Sequence, residues 1–234
     1  MKLVVFGANG PTGRRTTAQA LADGHEVTAV TRRPDDFPLD DPRLRIVGAD
    51  VRDPLAVEAV VAGQHAVISS LGVPYGRSRV SLYSEGSTHI TQAMAKHGVR
   101  RLVCVTSTVL FDTEAPGEGF LFRKVVEPLI ARTMGRTVYD DMRRMEAVIR
   151  DSGLDWTVVR PGGLFDADAV TDYQVAATRL PGRFTSRSDL AHSLVRRAVD
   201  GLDVHTFIDV RTTDGAPTFL ELLRKEAFGG KKAS

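Results

Sequence analysis

The sequence predicts an α/β protein built on a single doubly wound parallel sheet, Rossmann-like, in strand order 3-2-1-4-5-6 with one further C-terminal strand. Three observations lead there. Short apolar runs alternate with amphipathic helical stretches along the chain, the pattern of a parallel sheet covered by helices on both faces. The first run, Lys2 to Phe6, breaks into Gly7, Gly10 and Gly13 and passes at once into a helical stretch over 14–22. Downstream strand ends coincide with loops rich in Gly, Ser and Thr, and in open α/β sheets the crevice beyond those ends, where strand order reverses, receives the ligand.

The elements follow in order. A second strand over 26–31 ends in Arg32 and Arg33, and a short third strand covers 44–48. A helix over 54–62 carries proline in its first turn, where no hydrogen bond is lost. The fourth strand, 66–69, stops at Ser70-Leu71-Gly72, and a helix over 81–97 leads to a fifth strand over 101–106. Residues 111–137 stand outside the repeat. An acidic loop bearing Gly and Pro (112–119) continues there as an amphipathic stretch with Phe120, Leu121, Val125, Leu129 and Ile130. Such an insert after a strand end is either a lid over the site or an extra packed helix. A helix over 138–152 ends before Gly153, and a sixth strand over 156–160 is broken by Pro161-Gly162-Gly163. From Tyr173 onward the pattern gives a strand-like piece, a helix over 188–200, a strand over 206–211 and a last helix over 218–227. The organisation expected is one domain over 1–228 with a loose tail over 229–234.

Composition narrows the class. With 234 residues, 42% hydrophobic and 26% charged, the chain has enough apolar surface for a full core. The net charge of +2 is small and the basic residues are dispersed, so no nucleic-acid partner is expected. No run reaches membrane-spanning length, and one cysteine, Cys104 in an apolar strand, cannot form an internal disulfide. A cytoplasmic location without a membrane partner is expected. The six histidines show no i, i+4 pair and have no cysteine companions, so no metal site is expected.

The glycine turn is a phosphate cradle. Gly7, Gly10 and Gly13, with Asn9, Pro11 and Thr12 between them, let the backbone approach a pyrophosphate. Its charge then rests against the open N–H groups and positive dipole end of the new helix. The spacing is G-x-x-G-x-x-G rather than G-x-G-x-x-G. About 20 residues further on, a site for NAD carries an acid for the ribose hydroxyls. Here Arg32 and Arg33 stand instead, which suits a 2′-phosphate, so NADP(H) is expected in preference to NAD(H).

Several motifs occur in order: Gly7 to Gly13, Gly48-Ala49-Asp50-Val51, Ser84-Glu85-Gly86, His97-Gly98-Val99, Thr106-Ser107, and Arg150 through Ser152-Gly153-Leu154-Asp155-Trp156 to Arg160-Pro161-Gly162. Together they resemble the atypical short-chain dehydrogenase/reductases, nearest the flavin reductase/biliverdin-IXβ reductase group, with NmrA-like relatives. The resemblance runs from Met1 to about Val210. It implies an NADPH-dependent reductase in which Asp50 and Val51 flank the adenine and Leu71 and Gly72 pass beside the ribose and phosphates. Thr106 belongs to the same cofactor wall. Pro161, Gly162, Gly163 and Leu164 would lie near the nicotinamide, with Ser107 facing the reacting ring.

The chain departs from that pattern in its proton donors. Most short-chain dehydrogenases use Tyr-x-x-x-Lys, whose lysine lowers the tyrosine pKa for proton transfer. Here Met142 takes the lysine position, and Tyr139, the nearest candidate acid, is one step out of register. Gly163 stands where the flavin reductase group has a histidine. Hydride transfer belongs mainly to the cofactor, and the protein must hold the nicotinamide against its acceptor. A flat conjugated acceptor such as a flavin, quinone or tetrapyrrole can take its proton from solvent, so that chemistry survives the departure. Tyr75, Phe111, Phe120 and Phe165 are candidates for a stacking wall around the acceptor, or else core residues. Two alternatives stand beside a reductase acting on such a small molecule as monomer or homodimer: an NmrA-like sensor that binds NADP(H) without turnover, and an NAD-dependent epimerase or dehydratase.

Overall fold

The computed structural model describes residues 1–74, 76, 78–111 and 135–215. In chain order the elements are β1 (Lys2–Phe6), α1 (Pro11–Ala22), β2 (Glu26–Thr31), β3 (Leu44–Gly48), α2 (Pro54–Val61), β4 (Ala66–Ser69), α3 (Leu82–His97) and β5 (Arg101–Val105). After them come α4 (Arg136–Arg150), β6 (Asp155–Pro161), β7 (Gly163–Phe165), β8 (Gln174–Ala176), β9 (Phe184–Ser186), α5 (Arg187–Asp200) and β10 (Thr206–Arg211). Most of the 111–137 insert, the helix expected over 218–227 and the tail over 229–234 lie outside the described residues.

The large sheet runs β3-β2-β1-β4-β5-β6-β10-β8, parallel except for β8, which pairs antiparallel with β10. The chain therefore winds outward from β1 to β3, returns to the middle and continues from β4 the other way. The reversal falls between β1 and β4, which pair from Leu3 with Ala66 to Phe6 with Ser69. Side chains on each central strand alternate between two cores. Val4, Phe6, Val67, Leu102, Cys104 and Val158 pack with α2, α3 and α4 on one face. Leu3, Val5, Ile68, Val103 and Val159 pack with α1 and α5 on the other. Because the period is two, a one-residue slip would exchange these faces. Both being apolar explains why the runs lack a polar alternation.

Two features went beyond the sequence pattern. A second sheet of two three-residue strands, β7 and β9, is parallel and follows directly on β6. The helix expected over 138–152 begins two residues earlier and ends at Arg150, before the Gly153 turn at φ +68°.

The N-terminus of α3 has no cap from its own Ser81. Asp141 of α4 supplies one across the interface: its fully buried carboxylate accepts from the backbone N–H of Tyr83 at 2.8 Å and from the Ser84 hydroxyl at 2.5 Å. Arg144 donates to the same group at 3.1 Å. Replacing Asp141 by alanine should lower stability by about 2 kcal/mol, the sum of a lost cap and a buried hydroxyl left without its acceptor. Urea unfolding measures this, and a loss below about 0.5 kcal/mol would show that the cap is dispensable.

Candidate cofactor cleft

At the reversal point a cleft of about 870 Å³ opens over the carboxyl ends of the central strands, within the size range of small-molecule sites. Its wall is contributed by the turn after β1, the end of β2, the turn after β3, the loop after β4, the end of β5, the loop after β6 and one face of α4.

The turn after β1 is made by local geometry. Gly7 takes φ +73°, and a Cβ there would lie 2.7 Å from the Ser70 carbonyl oxygen. The N–H of Gly10 donates to the Gly7 carbonyl at 3.0 Å, and that of Arg14 to the Gly10 carbonyl at 2.9 Å, which starts α1. Gly10 is an extended N-cap without a side-chain bond, Pro11 occupies the first position, and the first turn holds no acid. The helix itself thus places no acid at its positive end. Asn9, Gly10, Pro11 and Thr12 line the cleft. Gly13 does not; it sits behind the turn, where a Cβ would fall 2.2 Å from the Gly7 carbonyl oxygen. Its part is to let α1 approach β1. Arg14, which the sequence did not single out, braces the loop by donating to the Asn9 side-chain oxygen at 2.6 and 2.9 Å.

Arg32 and Arg33 both line the cleft but differ in commitment. Arg33 pairs with Asp36 at 3.6 Å, whereas Arg32 is exposed and makes no ion pair among the described residues. Asp50 accepts from the Arg52 N–H at 2.9 Å, which shapes the turn after β3. Val51 follows, packed on Gly86 of α3, whose absent Cβ would lie 2.9 Å from it. Asp50, Val51, Leu71 and Gly72 all stand on the same stretch of wall.

At the other end Thr106 and Ser107 close the floor. The Thr106 hydroxyl donates to Glu146 Oε1 at 2.8 Å, and that carboxylate accepts from Arg160 Nε at 3.0 Å and Nη2 at 2.7 Å. Ser107 Oγ accepts from the Val109 N–H at 3.3 Å, capping the short turn Thr108–Leu110. That leaves its O–H able to donate. Pro161, Gly162, Gly163 and Leu164 line the wall here, held by β9: the Gly162 N–H donates to Thr185 Oγ1 at 3.1 Å and the Gly163 N–H to the Arg183 carbonyl at 2.8 Å. Behind Gly162, Arg211 pairs with the fully buried Asp209 at 3.0 Å. Burial pushes the Asp209 carboxyl up to about 6 against the attraction of Arg211. In the core beneath α4, burial likewise raises the Cys104 thiol well above its ordinary value, as an inert cysteine requires.

Three candidates stand elsewhere. Tyr139 is 5% exposed in the core and off the cleft wall; α4 presents Val138 and Met142 there instead. Those two are four apart and share a face, and Tyr139 is rotated away from it. Phe111 stacks on Arg160, with 4.6 Å between guanidinium carbon and ring centre, and does not line the cleft. Phe165 alternates with Leu164 along β7, so its ring leaves the wall that Leu164 forms. Tyr75 and Phe120 lie outside the described residues. The sequence reading missed Tyr83 and Arg187, both on the wall. Tyr83 arrives through the first turn of α3, and its phenol oxygen accepts from the Val73 N–H at 3.2 Å. Arg187 arrives through β9, a strand too short to leave a periodic signal.

Fold and cleft together define a dinucleotide-binding Rossmann protein. The chain belongs to the NAD(P)H-binding family, whose profile matches residues 7–200. It is 26% identical over 159 residues to (4-alkanoyl-5-oxo-2,5-dihydrofuran-3-yl)methyl phosphate reductase of Streptomyces griseus, covering 68% of this chain and 46% of that one. Mycobacterial relatives, including one from Mycobacterium tuberculosis, are 27% identical over 208 residues, and the chain spans 20% of their length. Among solved structures, a wide-type short-chain dehydrogenase/reductase of Veillonella parvula in complex with NADP superposes with TM-score 0.76 at 19% identity, covering 93% of this chain and 99% of that one. ChuY, an anaerobillin reductase of Escherichia coli O157:H7, gives 0.73 at 21% identity, with 93% and 100% covered.

Proposed function

We propose that the chain is an NADPH-preferring reductase that delivers a hydride to a flat conjugated acceptor such as a flavin, quinone or tetrapyrrole. The observation that carries this reading is the pair Val138 and Met142 on the cleft face of α4. Where a tyrosine and lysine would pass a proton to a carbonyl, this face is apolar, which suits an acceptor protonated from solvent. It speaks against the epimerase or dehydratase alternative, which needs an acid or base on that wall. The relative from Streptomyces is by name a reductase, and the neighbour from Escherichia coli by name acts on anaerobillin; both accord with the reading.

The residues present fit the cofactor. The close approaches at Gly7 and Gly13 make a cradle that a Cβ would fill, and the uncapped first turn of α1 suits a diphosphate. Asn9 to Thr12 would hold the phosphates, Arg32 with Arg33 the 2′-phosphate, Asp50 and Val51 the adenine, and Pro161 to Leu164 the nicotinamide end. When bound, NADPH supplies the hydride. Ser107 would donate a hydrogen bond toward the reacting ring, and Val138 and Met142 would exclude water from it.

Steady-state oxidation of NADPH with FMN, riboflavin and quinones tests the reading. Binding of NADP⁺ without turnover on any acceptor would sink it and favour the sensor alternative. Arg32→Asp should cost NADPH ten- to a hundredfold in affinity, since charge-assisted hydrogen bonds to phosphate contribute roughly 1.5–3 kcal/mol. NADH binding the unaltered protein as tightly as NADPH would refute the assignment of Arg32.

A further inference from the structure

Asp166, just beyond β7, makes an unusual contact for an exposed acid. Its Oδ1 lies 3.2 Å from Arg15 Nη2 and 3.2 Å from Arg187 Nη1. The two arginine side chains are only 30% and 23% exposed, against 65% for Asp166. Arg15 is also held in place, donating through Nη1 to the Pro11 carbonyl at 3.1 Å in the first turn of α1. Arg187 belongs to the cleft wall, and Arg15 and Asp166 stand just outside it. Two well-placed guanidinium groups from different helices therefore converge on one oxygen of a solvent-exposed carboxylate, with one positive charge left over.

An ion pair this exposed contributes little to the fold, and a phosphate outcompetes a carboxylate for paired arginines by its higher charge and additional acceptor oxygens. We propose that Arg15 and Arg187 form an anion site on the rim between the phosphate cradle and the 161–164 loop, occupied by Asp166 until a ligand phosphate displaces it. The site is separate from Arg32 and Arg33, which follow the end of β2. It rests on this cleft's holding the cofactor and acceptor proposed above. The phosphate belongs either to the nucleotide diphosphate or to the acceptor.

The test is binding to the whole protein at low ionic strength, followed by fluorescence, with NADP⁺ as one probe. FMN and riboflavin, offered to the NADP⁺-loaded protein, are the others. Asp166→Asn should tighten a phosphorylated probe three- to tenfold, and Arg187→Gln should weaken the same probe about tenfold, both effects shrinking at high salt. A change in NADP⁺ identifies the diphosphate; a change in FMN but not riboflavin identifies an acceptor phosphate. Shifts below twofold for both variants, or weaker binding in Asp166→Asn, would overturn the proposal. Turnover is not needed, so a chain that fails to oxidise NADPH refutes the reductase reading alone.

Discussion

Glu146→Leu should destabilise the protein by about 3–5 kcal/mol, the cost expected when one partner of a buried ion pair is removed. Its partner Arg160 is 9% exposed in the side chain and held between the rings of Phe111 and Phe207, 4.6 and 4.2 Å from the guanidinium carbon. Little of it reaches water. Thr106 would lose its acceptor as well, so the floor of the cleft should loosen and NADP⁺ affinity should fall with stability. The double variant Glu146→Leu, Arg160→Met distinguishes pairing from packing. It removes both charges and leaves an unbranched apolar chain between the rings, so most of the loss should be recovered. Chemical unfolding of the four members of the cycle gives the answer. A single variant within 1 kcal/mol of the parent, or a double variant worse than the sum, would contradict it.

Gly13→Ala should remove cofactor binding, although by helix propensity alone it would stabilise α1 by about 1 kcal/mol. The added carbon would stand 2.2 Å from the Gly7 carbonyl oxygen and 2.8 Å from the Ala8 Cα. All of these are backbone atoms, so no side chain can swing aside and the turn itself must open. Forced overpacking costs typically 1–3 kcal/mol and sometimes more, which outweighs the propensity gain. Because the displaced atoms are those of the phosphate cradle, the loss should appear chiefly as NADP⁺ affinity reduced at least about a hundredfold, near 3 kcal/mol. Titration of NADP⁺ alongside an unfolding curve separates the two effects; binding retained within threefold would show that the cradle tolerates the carbon.

Much of the scaffold was legible because its signals are local. The glycines after β1, the proline at the start of α2 and the glycines after α3 and α4 each act within a turn of the residue that carries them. The strand order followed from alternating elements and the single reversal. The candidate site was legible to the same depth: Asn9 to Thr12, Arg32, Asp50, Leu71 and Pro161 to Leu164 lie on strand ends, and parallel strands bring their ends together. Tyr139 and Phe165 miss the cleft wall for one shared reason. Each is beside a cleft-facing element, but whether its side chain turns inward depends on a rotation about that element. A single step along α4 separates Tyr139 from Val138, and a single step along β7 separates Phe165 from Leu164.

The sequence by itself determined the class of fold and the glycine turn after β1, because hydrophobic period and backbone freedom are properties of adjacent residues. Only the tertiary structure decided which face of α4 meets the cleft, that Asp141 caps a different helix, and that Arg15 and Arg187 converge on Asp166. Residues 15 and 187 are brought together by α1 and α5 packing on the same face of the sheet, a contact set by the whole sheet and recorded in no local pattern.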